Sequence, residues 1–340
     1  MRARRVLSLA CIGGLIGLLL EFGSNAVVAG ASSPDAPINF LVGMPPGGSV
    51  DVYARLVQRH LSRFLPGKPT IIVQNKPGAG SLLSVMAITN SRPSDGLMVG
   101  TFSASLIPDA VADPQRFRID FRHFRFIGKV GEDYRVCYVR SASGIHSLKE
   151  LAQHSGVTFA ATASGTSGNL NLVILKDLLK VPLKAVLGYE GSAAKRLAFE
   201  RGEVDGDCGG VESIPAEWLT GGKINLLVHF LPSLQAPVDQ SVPFGGDLVD
   251  GSDRQLYDFL TAPERMSGMF LVSDRVPQET VDMLRRAFDS MVADPDFQSD
   301  AQRLGFPIAA VSGVALGDDI AQLYAMPSTV LEKAKALLQE

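Results

Sequence analysis

Several things that this sequence lacks narrow its function before any motif is read. The 340-residue chain has only three cysteines. Cys11 lies in an apolar N-terminal segment, which leaves Cys137 and Cys208 for the remainder. Two thiols permit a disulfide in an oxidising compartment but exclude a disulfide-dense scaffold. Neither sign of charge dominates, with 32 Lys and Arg against 35 Asp and Glu and a formal net charge of -3. No basic run occurs beyond the first five residues, so the footprint of a nucleic-acid or anionic-surface binder is missing. The five histidines, at positions 60, 123, 146, 154 and 229, show no metal-ligand spacing and belong to no HExxH pattern. His60 falls near the polar face of a predicted helix and reads as a solvated surface residue. No GxSxG elbow occurs, and Gly67-Lys68, Gly128-Lys129 and Gly222-Lys223 all lack the surroundings of a phosphate-binding Walker A loop. No catalytic residue, metal site or cofactor is expected. Cys208 and Asp51 are the only nucleophile candidates, and the first reads as a structural strand-end thiol.

What is present describes a globular protein, 46% hydrophobic and 20% charged, and long enough for two domains. Arg2, Arg4 and Arg5 precede an apolar stretch over residues 6–20, followed by small residues at Ala29, Gly30 and Ala31. This is the charged, apolar, small-residue order of a secretory signal peptide, and its apolar part is shorter than the roughly 20 residues of a membrane span. Residues 1–31 are therefore expected to be cleaved, leaving a soluble protein outside the cytoplasm.

After that segment, short apolar runs alternate with helical periodicity. Strands are predicted at 38–43, 70–75 and 97–102, with helices after the first two. The pattern restarts with strands at 135–140, 158–163, 183–187, 204–208 and 224–230 and one more at 268–272, and helical stretches follow near 277–293 and 318–338. Strands alternating with helices of this length mean βαβ units and an α/β architecture. Four predicted strands run into loops of small residues: Met44-Pro45-Pro46-Gly47-Gly48-Ser49, Lys76-Pro77-Gly78-Ala79-Gly80-Ser81, Ser164-Gly165-Thr166-Ser167-Gly168 and Gly188-Tyr189-Glu190-Gly191-Ser192. In open α/β sheets ligands bind at the carboxyl ends of strands, where helix N-termini expose N–H groups. One such loop is commonly no more than a tight turn. Four at equivalent ends form a shell of neutral donors suited to a carboxylate.

Pro45-Pro46-Gly47-Gly48-Ser49-Val50-Asp51 with Ala54-Arg55 resembles the first signature of the tripartite tricarboxylate transporter receptors, or Bug proteins. Asn75-Lys76-Pro77-Gly78-Ala79-Gly80 is similar to their second and Pro93-Ser94-Asp95-Gly96 to their third. Later segments through Gly222-Lys223 keep the family's order, so the resemblance covers nearly the whole mature chain. It implies an α/β fold of the two-lobed periplasmic-binding-protein type (class II, Venus flytrap) with two parallel-dominated mixed sheets. Residues 32–132 plus 265–340 would form lobe 1 and residues 133–264 lobe 2, with crossovers near 131–135 and 260–268. It also implies a monomeric periplasmic receptor that hands a small carboxylated molecule to membrane permease subunits. By resemblance, first-lobe ligand contacts come from Pro46, Gly47, Gly48, Ser49, Asp51, Gly78, Ala79, Gly80 and Ser81. Second-lobe contacts come from Ser164, Gly165, Thr166, Ser167, Tyr189, Gly191 and Ser192. The same fold would place the strand of Cys137 beside that of Cys208, making a Cys137–Cys208 disulfide feasible. Departures from the family pattern fall at Ser81, where glycine is usual, at Leu187-Gly188, and at Gly209, where an acid is expected. No named substrate is carried over. A sensor docking on a histidine-kinase ectodomain and a periplasmic enzyme on the same scaffold are the alternatives.

Overall fold

In the computed structural model the described residues are 36–91, 96–162, 166–233, 238–306 and 308–339. The signal-like segment lies outside them. β1 (Ile38–Val42) buries Ile38, Phe40, Leu41 and Val42, with polar Asn39 half-buried between them. It leads into α1 (Ser49–Leu61), which buries Tyr53, Leu56, Val57 and Leu61. Asp51 in the first turn and Arg59 and His60 in the last complement the helix dipole. β2 (Ile71–Asn75), α2 (Leu82–Thr89) and β3 (Leu97–Thr101) complete the first βαβ region.

The remaining strands are β4 (Phe124–Lys129), β5 (Arg135–Arg140), β6 (Val157–Ala160), β7 (Leu183–Val186), β8 (Gly206–Gly210), β9 (Ile224–His229), β10 (Met269–Ser273) and β11 (Val311–Ser312). They form a six-stranded sheet ordered β11-β4-β10-β3-β1-β2 and a five-stranded sheet ordered β7-β6-β8-β5-β9. Both are mixed. The β1–β2, β1–β3, β6–β7 and β6–β8 pairs are parallel, whereas β4, β5 and β10 pair antiparallel with their neighbours. The parallel share thus stays within the βαβ half of each sheet, because strands joined to the other sheet enter from the opposite end.

β4 passes directly into β5 through residues 130–134. That connection runs beside the one preceding β10, with Val130 N donating to Gly268 O (3.2 Å), Gly131 N to Ser267 O (3.3 Å) and Asp133 N to Glu264 O (2.8 Å). Gly268 has φ +65, and a Cβ there would press on Val130 and the Tyr53 ring, so the paired crossovers need glycine at that point. One apolar cluster includes Leu41 and Phe126 of the first sheet, Cys137 and Phe159 of the second, and Phe259 and Met266 before β10.

Several elements depart from the sequence reading. β4 sits within the first sheet although its Phe124 and Phe126 alternate inside a basic stretch. The predicted 318–338 helix is two helices, Gly313–Tyr324 and Ser328–Leu338, divided at Pro327, which cannot continue the first. A helix at Pro295–Arg303 is capped by Asp294, whose carboxylate accepts from Asp296 N and Phe297 N. This helix corrects the reading of His60, which is buried. Its Nε2 lies 2.8 Å from Asp300 Oδ2 and its ring packs edge-on against Phe297.

Cys137 and Cys208 are register partners on β5 and β8 and form a disulfide, with Cα atoms 4.1 Å apart and a sequence separation of 71. In the chain-entropy picture a loop of this size stabilises by about 4 kcal/mol. The Cys137→Ala/Cys208→Ala variant is expected to melt roughly 5–15 °C lower than the parent in a thermal scan. Neither thiol of the parent should label in denaturant without reductant.

Candidate ligand-binding site

β1, β2 and β3 end level: Val42 is the register partner of Asn75 and of Thr101. The loops that follow emerge together and are tied by Lys76 N donating to Val42 O (2.7 Å) and Gly43 N to Thr101 O (2.9 Å). Pro46, Gly47, Gly48 and Ser49 are exposed. Gly48 stands at the N-cap of α1 with no side-chain cap, so the first-turn N–H groups open toward solvent as an anion site does.

Asp51 does not face that opening. It is 2% exposed. Its Oδ2 accepts from Gly47 N and Arg55 Nε, both at 2.9 Å, and its Oδ1 accepts from Asn75 Nδ2 at 2.8 Å. Asn75 Nδ2 also donates to Met44 O, and Arg55 Nη2 donates to Asn75 Oδ1. Burial pushes the Asp51 carboxyl upward, but the bonds from Arg55, Gly47 and Asn75 outweigh it and hold the group below the usual range. Its role here is to position the loop.

The second loop is held in an unusual backbone. Gly78, Ala79, Gly80 and Ser81 have φ of 140, 47, 61 and 81° in succession. Left-handed backbone at Ala79 and Ser81 costs about 1–3 kcal/mol per residue, and it points successive N–H groups into a concave, anion-receptive turn. Ser81 is fully buried; its Oγ donates to Gly43 O and accepts from Ser103 N, each at 3.1 Å. A third loop, with Ser103 Oγ 2.8 Å from Ser105 Oγ, joins this group. The sequence reading assigned it nothing, although a small polar Ser-Ala-Ser run after a strand was the available signal.

In the second sheet the loops after β6 and β7 also emerge together. Gly188 N donates to Thr162 O (2.9 Å) and Tyr189 N to Ala161 O (3.3 Å). Thr166 precedes the helix Ser167–Val173, and Gly191 and Ser192 open the helix Gly191–Arg201. Ser164 and Gly165 lie outside the described residues.

Beneath these loops are two cations absent from the sequence reading. Arg135 donates to Asn171 Oδ1 (2.8 Å), Cys208 O (2.9 Å) and Asp133 Oδ2 (3.0 Å). Lys195 is buried and donates to Asp207 Oδ1 (2.6 Å) and Cys208 O (3.3 Å). A Cβ at Gly168 would lie 3.0 Å from Arg135 Nη2 and 3.7 Å from Lys195 Nζ, which places both under the first turn of Ser167–Val173. Burial lowers the Lys195 pKa despite Asp207. Cys208 is in the disulfide and the Asp51 carboxylate is fully engaged, so neither is available as a nucleophile.

Between the two sheets lies a cavity of about 230 Å³. Ser49 and Tyr53 of α1 form one wall, residues 211–219 after β8 the other, and Glu132, Asp133, Tyr134 and Ser267 of the crossovers contribute, together with Gly305 and Phe306. Of the sequence-predicted contacts, Ser49 lines it. Among the described residues no cluster of His, Cys, Asp and Glu is arranged to hold a metal ion.

No family model matches the chain. Among curated proteins it is 27% identical over 201 residues to a UPF0065 protein and 30% identical over 227 residues to protein BugT, both of Bordetella pertussis. These matches cover 55% and 63% of this chain and only 60% and 66% of the relatives. Among solved structures, a TctC solute binding protein from Polaromonas superposes with TM-score 0.65 at 21% identity, covering 89% of this chain and all of that one. MatC from Rhodopseudomonas palustris with bound malate gives 0.64 at 19% identity, covering 90% and 100%. The fold is that of the two-lobed periplasmic binding proteins. The segment 130–134 connects the two sheets and runs beside residues 264–268 ahead of β10.

Two titration experiments probe these arrangements. Asp51→Ala should cost about 2–3 kcal/mol in urea unfolding at pH 7. Because the folded Asp51 pKa lies below the unfolded one, its contribution is present above the ordinary carboxyl range. It is lost as the pH falls through the folded value, so the two proteins should converge in acid. Glu264 behaves oppositely. It is 2% exposed, Asn171 Nδ2 donates to its Oε1, and its Oε2 has no partner among the described residues. Burial pushes its pKa up to about 8, against the pull of Arg135 and Asn171. Stability should therefore decline as the pH rises from about 4.5 to 8, and Glu264→Gln should flatten that decline.

Proposed function

We propose that this chain is an extracytoplasmic solute-binding receptor that captures a small carboxylate-bearing molecule between its lobes and delivers it to a tripartite tricarboxylate-type permease. The observation that carries the reading is the meeting of the uncapped α1 N-terminus with the left-handed run Gly78–Ser81, both aligned by hydrogen bonds. Neutral N–H donors on rigid backbone suit an anion that must be released again, since no buried counter-ion has to be stripped away. The similarity to BugT and the malate bound to MatC support the same chemistry.

In this proposal residues 32–132 and 265–340 form one lobe and residues 133–264 the other. Main-chain N–H groups of Gly48, Ser49, Gly78, Ala79 and Gly80 take the carboxylate, while the Gly47 N–H is held by Asp51. Ser164, Thr166, Ser167, Tyr189, Gly191 and Ser192 close over it. Closure about the crossovers is driven by tighter binding to the closed state, because equal affinity for both states would shift nothing. The signal-like N-terminus supports export to the periplasm.

A thermal-shift screen of ligand-free protein against mono-, di- and tricarboxylates and amino acids tests the reading. A ligand at 100 times its dissociation constant should stabilise the fold by about 2.7 kcal/mol. Gly80→Leu should abolish that shift and still fold, since a Cβ at Gly80 meets nothing within 4 Å and its φ of +61 adds only about 1–2 kcal/mol of strain. A flat screen, or undiminished binding by Gly80→Leu, would overturn it.

A further inference from the structure

We propose that the interlobe cavity seats one positively charged group of the same ligand whose carboxylate rests at α1, so that the preferred ligand is a zwitterion and not a di- or tricarboxylate. The inference rests on the carboxylate reading above and adds the chemistry of the ligand's other end. Ser49, the first residue of α1, lines the cavity, so the chamber begins where the carboxylate site ends.

The charge balance of the lining carries the argument. Three carboxylates face the chamber. Glu132 is neutralised by Lys129 Nζ at 3.2 Å and accepts from Tyr134 Oη at 2.7 Å. Asp133 accepts from Arg135 Nη1 at 3.0 Å. Lys129 and Arg135 are not part of the lining; they stand behind it. Glu212 forms no ion pair among the described residues, which leaves one negative charge uncompensated. Its carboxylate folds back over Gly210, and a Cβ at that position would collide with it, so glycine there lets the acid take up this place.

Glu212 is exposed to solvent on one side; the protein around the rest of it, then the like charge of Asp133, pushes its pKa up to about 7 against the hydrogen bond from its own N–H and the pull of Arg135. A carboxylate in such a place has no ion-pair partner among the described residues to relieve it; a ligand cation would. The remaining wall suits an alkyl ammonium. Tyr53, Tyr134 and Phe306 present rings, Tyr53 and Phe306 meeting edge-on at 4.8 Å, and Ile214 and Leu219 add apolar surface. A second ligand carboxylate placed here would instead meet Glu212 and Asp133 without a free cation.

Binding linkage supplies an independent readout. A cation beside Glu212 favours its charged form, so affinity for the zwitterion should rise between pH 6 and pH 8 with proton release. The other charged or titratable groups facing Glu212 are Asp133, Arg135, Glu132, Tyr134 and Tyr53, with Arg196 held at Ser213 O on the same loop. Glu132, Asp133 and Arg135 are each in an ion pair, whereas the Glu212 carboxylate has a hydrogen bond from its own N–H but no ion pair among the described residues.

The test is calorimetry on the purified ligand-free protein with three series matched in chain length: 3-aminopropanoate to 6-aminohexanoate, the corresponding dicarboxylates and the corresponding alkanoates. At least one amino acid should bind about tenfold or more tightly than its dicarboxylate counterpart. Glu212→Gln should cut that preference by at least fivefold and remove its pH dependence, while leaving alkanoate affinity within about twofold. Tighter binding of the dicarboxylates, or a preference unchanged in folded Glu212→Gln, would overturn the cavity assignment and leave carboxylate capture standing. Binding of none of the three series would overturn both.

Discussion

The Asp51 carboxylate holds three segments at once. It ties the glycine turn before α1 to the first turn of that helix, and both to the last residue of β2. Because β1, β2 and β3 end at one level, fixing Met44–Gly47 against Asn75 also fixes the start of the strained second loop. A run of left-handed residues that includes alanine and serine does not persist by itself. It persists because Ser81 is buried beneath it, clamped between Gly43 O and Ser103 N. Strain in the loop and satisfaction of buried polar atoms beneath it are two aspects of one arrangement.

The second sheet uses a different device. Its loops lie above buried charge, with Arg135 and Lys195 converging on the carbonyl of Cys208 and each neutralised by an acid of its own. The disulfide ties β5 to β8 at that carbonyl, so the strand entering from the crossover and the strand leading to the Val211–Leu219 wall move as one. Arg135 reaches Asp133 on the crossover and Asn171 on the neighbouring helix, and Asn171 in turn reaches Glu264 on the returning connection. This chain of polar contacts runs along both connections between the two sheets. A change of charge there is therefore felt by both connections.

Two kinds of anion chemistry meet across the space between the sheets. In the proposed site, neutral backbone donors on one side take a carboxylate; beside them, a wall of rings and acids would disfavour one. The contrast is a matter of a few residues: Ser49 belongs to both surroundings, and Tyr53, one turn later, belongs only to the second. Selectivity in such a cleft comes as much from the charge that is left unpaired as from the donors provided.

The sequence by itself determined the alternating strands and helices and the places where small-residue loops interrupt them. These follow from local rules: apolar period, helix caps, and the backbone freedom of glycine. Tertiary structure decided the rest. β4 went unread because its Phe124 and Phe126 become a recognisable strand only beside β10. His60 is buried by a helix more than two hundred residues away in sequence. Asp51 turned inward because Asn75 and Arg55 arrive beside it in space. The pairing of Cys137 with Cys208 waited on the register of β5 against β8. That Glu132 and Asp133 are paired with Lys129 and Arg135 while Glu212 has no ion pair among the described residues is legible only once β4, β5 and β8 are in place. Local patterns fix what a segment can be, whereas partners, burial and unpaired charge depend on where distant segments come to lie.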